Sequence, residues 1–501
     1  MSKRTLDVEE VVYQQIRVTK GDGIKYTLNG REIDIWDREF RNYHSKKTVD
    51  YIREAIVAKE KRGEDLFPDI VGKEREKELV ATALFSGSPI LFRGERGYGK
   101  TTFSKAIAKL LPEKILAIKG CKIHDDPVAP ICFSCKSKIL LGETIELTWV
   151  PRIWVRIPGD PMLTTRQLIG GISIQKIREG YDLDHPEVFT PGKALKANRG
   201  IGYFDELGAV PTALQTLLHE LFEEHQVSTS EGEIVPLKLD LIEIASTNPA
   251  NYRGTSPIKE PLLDRMEIID IGPPASVEEE IEIARRNSFI GRENHYNVVL
   301  PEWHMKLMAY TVILGRSPKE CDTARKIQAP PSCRATIKLF DHLASRVIRS
   351  GRRVPLLKDY GEDLEVVALA LAGRIELEYG VKESRAEVSK MLFKESLLRI
   401  AKEVYDKIPS DRFDEIVTEL ISVGIPKGGA YSIPLDVAFV KNLRGLKHFS
   451  SLVYGLCGGY TEDDELYLSA AEILLHAISM CAPRYVVKSR NEYLVKRVEE
   501  K

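Results

Sequence analysis

Residues Gly94-Glu95-Arg96-Gly97-Tyr98-Gly99-Lys100-Thr101 spell G-x-x-x-x-G-K-[ST], and Thr102 follows directly. The chemistry this offers is phosphate binding. Glycines let backbone N–H groups close around phosphate oxygens at a helix N-terminus, Lys100 reaches the outer phosphates, and the Thr101 hydroxyl holds Mg²⁺. Such a loop works only between a strand that delivers it and a helix that carries the chain away. The apolar run Pro89-Ile90-Leu91-Phe92 precedes it, and Phe103, Ala106, Ile107 and Leu110 follow at helical spacing. Strand, loop and helix predict a site for a nucleoside triphosphate, ATP, with Mg²⁺.

A second motif supplies the rest of a phosphoryl-transfer site. Gly200-Ile201-Gly202-Tyr203-Phe204-Asp205-Glu206 is a short apolar run ending in two carboxylates, the pattern of a buried parallel strand whose carboxyl end opens on a ligand. Asp205 is placed to hold Mg²⁺ with Thr101, and Glu206 to act as the base on an attacking water. Leu241 to Asn248 is another apolar run, ending in an amide that fits the water or the outer phosphate; an Asn before Pro249 also starts turns. Two arginines complete the set. Arg265 closes Glu260-Pro261-Leu262-Leu263-Asp264-Arg265, where it also reads as an ordinary surface charge. Arg334 falls in the first turn of a helix that Ser332 caps and Ile337, Phe340, Ala344 and Val347 make amphipathic.

In that order, these motifs resemble an AAA+ ATPase and, more narrowly, the magnesium chelatase ATPase subunit and its MoxR-type relatives. Phe67-Pro68-Asp69-Ile70-Val71-Gly72 is similar to the adenine-cupping segment of that group. Leu168-Ile169-Gly170-Gly171, Phe189-Thr190-Pro191-Gly192 and Ala197-Asn198-Arg199-Gly200-Ile201 are similar to its stretch before the Asp-Glu strand. The resemblance spans roughly residues 65 to 350. It implies an α/β fold: a P-loop parallel sheet sandwiched by helices, an α-helical lid and a mostly helical C-terminal region. It also implies Asn248 as sensor 1, Arg334 as sensor 2, and Arg265 as an arginine finger on a neighbouring subunit's nucleotide. Hydrolysis would then depend on a homo-oligomeric ring, usually a hexamer. The domains expected are an N-terminal appended element at 1–64, the AAA+ core at 65–275 with a Cys/His insertion at 120–136, the lid at 276–376, and the C-terminal region at 377–501. An insertion in the second helix is expected at Gly170 to Gly192, and a hairpin from Gln226 to Leu237 before the sensor-1 strand.

The insertion has its own chemistry. Cys121-Lys-Ile-His124 and Cys132-Phe-Ser-Cys135 give C-x-x-H and C-x-x-C, four ligands suited to a structural tetrahedral Zn²⁺, with Asp125 or Asp126 as substitutes for His124. The other reading is three reduced thiols beside a solvated His. Cys321, Cys333, Cys457 and Cys481 have no partners at ligand spacing.

Composition narrows the class. In 501 residues, 73 Lys+Arg face 74 Asp+Glu, so no basic field advertises nucleic acid. No apolar run is long enough to span a bilayer and the start lacks a signal-peptide pattern, so the expected place is the cytoplasm, away from membranes. Three kinds of work remain: remodelling or metallating a protein partner, driving a Mg or Co chelatase that acts on a tetrapyrrole, and moving along nucleic acid. The first is preferred. The acidic hairpin tip Ser230-Glu231-Gly232-Glu233 is unsuited to tracking phosphates, and no Asp-x-Ser-x-Ser string marks a von Willebrand-type domain, so that partner or another client would be a separate chain.

Overall fold

The apolar runs around the phosphate loop join one parallel sheet, with the strands that carry no face for water at its centre. Its five strands lie in the order Glu267–Asp270, Ile90–Arg93, Leu241–Thr247, Gly200–Asp205, Trp154–Pro158, and every pairing is parallel. Each residue of Gly200–Asp205 and of Leu241–Thr247 is buried, as expected of central strands covered on both sides. Helices Thr48–Lys61, Glu74–Ser86 and Lys100–Ala108 pack against this sheet. The computed structural model describes residues 8–182, 185–227, 237–248, 258–293 and 295–497.

The chain divides into two compact units, Met1–Gly272 and Pro273–Lys501. In the first, the N-terminal segment does not stand apart. Asn29 and Gly30 both take positive φ, the requirement of a tight hairpin turn between Tyr26–Leu28 and Arg31–Ile33. That hairpin adds two strands to Ile145–Pro151 and Lys114–Ile118, which flank the Cys-bearing loop, in a second, four-stranded sheet. Gly170–Ile172 pairs with Phe189–Pro191 in the expected insertion. The hairpin before the Leu241–Thr247 strand is represented by Gln226–Val227 and Leu237–Lys238; its tip, including Ser230 to Glu233, lies outside the described residues, as does Pro249.

The second unit is one helical body, not a lid followed by a separate region. A single core runs from Ile281 to Val495, and helix Arg385–Tyr405 packs on both Glu302–Leu314 and Asp464–Cys481. Pro426 to Ala430 does not merely interrupt helices: Gly428 and Gly429 turn a hairpin that joins Glu492–Val495 and Val486–Ser489 in a four-stranded antiparallel sheet. Ser332 does sit at the N-cap of Cys333–Arg349, without a side-chain capping bond. Among the described residues, no helix is long and apolar enough to cross a membrane.

Candidate functional site

Three glycines shape the loop. A Cβ on Gly94 would lie 2.1 Å from the Ile271 carbonyl oxygen, so only glycine fits there, while Gly97 and Gly99 take φ of 84° and 98°. Gly99 is the N-cap of Lys100–Ala108, which sets Lys100 and Thr101 in the helix's first turn; Thr102 follows on the exposed side. Tyr98 is buried and donates to Glu95 Oε2 at 3.3 Å.

Lys100 folds back into the loop. Its ammonium donates to the Gly94 carbonyl, to the Glu95 carbonyl at 2.9 Å and to Asn248 Oδ1 at 3.0 Å. Burial pushes it down to about 8 against the opposing pull of Asp205 and Glu206. Asn248 is itself buried at the end of Leu241–Thr247, so its amide faces the phosphate loop from the neighbouring strand.

Thr101 and Asp205 are joined through a phenol. Thr101 Oγ1 lies 3.1 Å from the Tyr203 hydroxyl, which donates to Asp205 Oδ1 at 2.9 Å; Ser246 donates to the same oxygen at 2.7 Å. Arg156, from the edge strand, donates through Nε to Asp205 Oδ2 at 2.8 Å. Burial would raise the Asp205 carboxyl, but the bonds from Ser246, Arg156 and Tyr203 outweigh it and hold the group below the usual carboxylate range. A hydroxyl and an ionised carboxylate bridged by one phenol are a donor set that fits Mg²⁺.

Glu206 occupies a strained position. Its φ of 58° and ψ of 53° are left-handed, a conformation that costs a non-glycine residue about 1–3 kcal/mol. The surroundings impose it: Glu206 N donates to Ser246 Oγ at 3.1 Å, and Gly159 packs so closely that a Cβ there would lie 2.0 Å from the Glu206 carbonyl oxygen. The carboxylate reaches Arg96 at 3.4 Å.

Lys100, Thr101, Asp205, Glu206, Asn248 and Arg96 are thus brought together. Arg265 is not in this group. Arg265 binds Glu223 on helix Thr212–Glu224, with Nε 2.9 Å from Oε2, and donates to the Pro261 carbonyl. Arg334 is exposed in the second unit. Arg156 and Ser246 were not singled out by the motifs. The signal for Tyr203 was its position two residues before Asp205, on the same side of the strand.

The AAA domain (dynein-related subfamily) matches residues 146–266, which hold the Asp-Glu strand and the Asn248 strand of this sheet. The magnesium-chelatase 38 kDa subunit of Acidiphilium rubrum is 27% identical over 227 residues, 44% of this chain and 62% of that protein. Over these segments the chain is similar to AAA+ ATPases of the magnesium-chelatase-like group. A second relative, the magnesium-chelatase subunit ChlI homolog of Methanocaldococcus jannaschii, is 29% identical over 225 residues, 44% of this chain and 58% of that one. The chain therefore spans about three-fifths of the length of these relatives. A structure of the complex between subunits BchI and BchD of magnesium chelatase aligns with 65% of this chain and 98% of that one, at 21% identity and a TM-score of 0.33.

The insertion differs from its expected form. Cys121, Cys132 and Cys135 come together with Asp125, and His124 is not in the group. His124 takes a left-handed φ of 58° and serves as a turn whose carbonyl accepts from Arg199 at 3.2 Å.

Proposed function

We propose that this AAA+ chain hydrolyses ATP at the site formed by Lys100, Thr101, Asp205, Glu206 and Asn248, and that the energy remodels or metallates a protein partner. The observation that carries the hydrolytic reading is the joint geometry of the Lys100–Asn248 bond and the Thr101–Tyr203–Asp205 chain. Loop amides and Lys100 bind the phosphates, exchanging carbonyl partners for phosphate oxygens. Thr101 and Asp205 would hold Mg²⁺, which supplies charge neutralisation on the phosphates when bound. Glu206 takes a proton from water, and its fixed backbone keeps the carboxylate at the strand's end. Asn248 orients the water or the outer phosphate. Arg265 acts as an arginine finger on a neighbouring subunit's nucleotide and Arg334 takes the sensor-2 role, the two completing the site across subunits, so the active form is a homo-oligomeric ring, a hexamer, working in the cytoplasm with a separate client or von Willebrand-type partner.

A second reading, the motor of a Mg or Co chelatase, is favoured by the names of the curated relatives. The Cys/Asp cluster is a structural Zn²⁺ site in the same account. Glu206→Gln should trap ATP-bound assemblies, and what they retain decides the work: a protein client supports the first reading, and a tetrapyrrole-binding subunit the second. DNA-stimulated turnover would overturn both in favour of a translocase. Arg265→Ala should lose hydrolysis as Glu206→Gln does but regain it when mixed with subunits whose own Arg265 is intact. No recovery would remove Arg265 from the neighbour's site.

A further inference from the structure

The loop between the Lys114–Ile118 strand and helix Phe133–Leu140 assembles a second, partly buried site near the amino end of the Asp-Glu strand. Its ligand atoms are three cysteine sulfurs and one Asp125 carboxylate oxygen, all within 4.8 Å of one another. Cys121 Sγ and Cys132 Sγ are 3.9 Å apart. A disulfide needs about 2.05 Å, whereas tetrahedral Zn–S bonds of about 2.3 Å set two sulfurs about 3.8 Å apart. The spacing is that of thiolates sharing a metal.

The local backbone explains how four ligands converge. Cys132 is the N-cap of Phe133–Leu140, so Cys135, three residues on, lies on the same side of the first turn. Across the loop, Asp125 N donates to Cys121 Sγ at 3.3 Å, a backbone bond that suits a negatively charged sulfur. Asp125 Oδ2 accepts from Cys132 N at 2.9 Å, which aims the carboxylate at the cysteines. Its Oδ1 is buried with no hydrogen-bond partner. A buried carboxylate oxygen left without a partner is costly unless a cation meets it.

We propose, building on the zinc reading above, that Cys121, Asp125, Cys132 and Cys135 are the four ligands of one Zn²⁺, with Asp125 Oδ1 in the place that spacing alone would give to His124. The site acts as a clip at the start of the Asp-Glu strand. Residues of the loop hold the N-terminal segment through Val18 N to the Val128 carbonyl at 2.7 Å, the Tyr26 hydroxyl to the Pro127 carbonyl at 3.1 Å and Ser45 N to Asp126 Oδ2 at 2.8 Å. The same loop receives Asn198 Nδ2 on the Ile123 carbonyl at 2.9 Å and the Arg199 guanidinium on Asp126 at 3.1 Å, immediately before Gly200. Zinc thus fixes the junction from which the strand carrying Asp205 departs.

The test is zinc content and zinc X-ray absorption of the anaerobically purified full chain, in the wild type, His124→Asn and Asp125→Asn. The expected result is one zinc per chain in the wild type, bound by three sulfurs and one oxygen, without the outer-shell scattering of an imidazole. His124→Asn should keep its zinc. Asp125→Asn should yield it to a chelator at least about tenfold more readily, the lower end of what losing even an indirect partner of a metal costs. Should Asp125→Asn fail to fold, the wild-type spectrum still decides. Imidazole scattering, or loss of zinc from His124→Asn, would overturn the Asp125 assignment while leaving a zinc site in place. A wild-type chain that takes up no zinc on anaerobic reconstitution would overturn the zinc reading itself; ATP turnover, read separately, speaks only to the nucleotide site.

Discussion

At the carboxyl end of the strand Gly200–Asp205 the carboxylates pair with arginines whose side chains are largely exposed and exchangeable; at its amino end the charged groups are buried and fixed to backbone. Asp205 and Glu206 face Arg156 and Arg96, whose side chains are 56% and 55% exposed and can leave when a ligand arrives. Arg199, with its side chain only 5% exposed, instead donates to the carbonyls of Leu116, His124 and Tyr43 and pairs with Asp126. One end is organised to exchange partners and the other to keep them. A site that binds and releases a polyanion needs its cations loosely held, whereas a junction that must not move needs every polar group satisfied.

In stability, the largest effect of breaking this contrast is expected at the fixed end. Arg199→Met leaves Asp126 buried without its cation and should cost about 3–5 kcal/mol, read by chemical denaturation; a loss under about 1 kcal/mol would mean that water reaches the junction.

A smaller effect lies between the two ends, at the base of the hairpin, where His225 Nδ1 and Glu243 Oε1 are 2.8 Å apart. Burial raises the Glu243 carboxyl despite its bond with His225, and that same bond raises the His225 imidazole. The folded chain therefore holds more protons than the unfolded one, from the ordinary carboxylate range up through the raised value of His225. Stability from this pair is present at low pH and falls as pH rises through that window. Glu243→Gln should flatten the slope from the ordinary carboxylate range up through the raised value of His225, and an unchanged slope would show that the pair does not titrate as described.

The smallest effect is expected at the exchangeable end. Arg156→Gln removes a cation that competes with Mg²⁺ for Asp205. Because Arg156 is largely exposed, the pair is worth roughly 0.2–1 kcal/mol, so half-saturating Mg²⁺ for turnover should fall by no more than about fivefold. A rise would instead make Arg156 part of the binding site.

The two ends were also unequally legible in the sequence. The phosphate loop is contiguous, and its glycines, Lys100 and Thr101 declare their roles because chain order and spatial order coincide. Asp205 and Asn248 could be placed because apolar runs ending in polar residues are how parallel strands deliver side chains to one edge. Arg156 and Ser246 stayed hidden: each reaches Asp205 from another strand, and only register brings them there. At the insertion, spacing located the three cysteines but favoured His124, because C-x-x-H looks like a complete ligand pair. The left-handed turn at His124 removes it from the group and brings Asp125 in, a one-residue shift that depends on backbone dihedrals. The unity of the second half was hidden for a similar reason, since the hairpin at Gly428-Gly429 reads as a break until its strands find Glu492–Val495.

The central claim, that this site hydrolyses ATP with Glu206 as the base, is tested most directly by single-turnover ATP hydrolysis alongside ATP binding, in wild type and Glu206→Gln. Binding should be retained and the rate should fall by about 10²- to 10⁴-fold, the range over which a general base contributes. Wild-type hydrolysis rates in Glu206→Gln would contradict it.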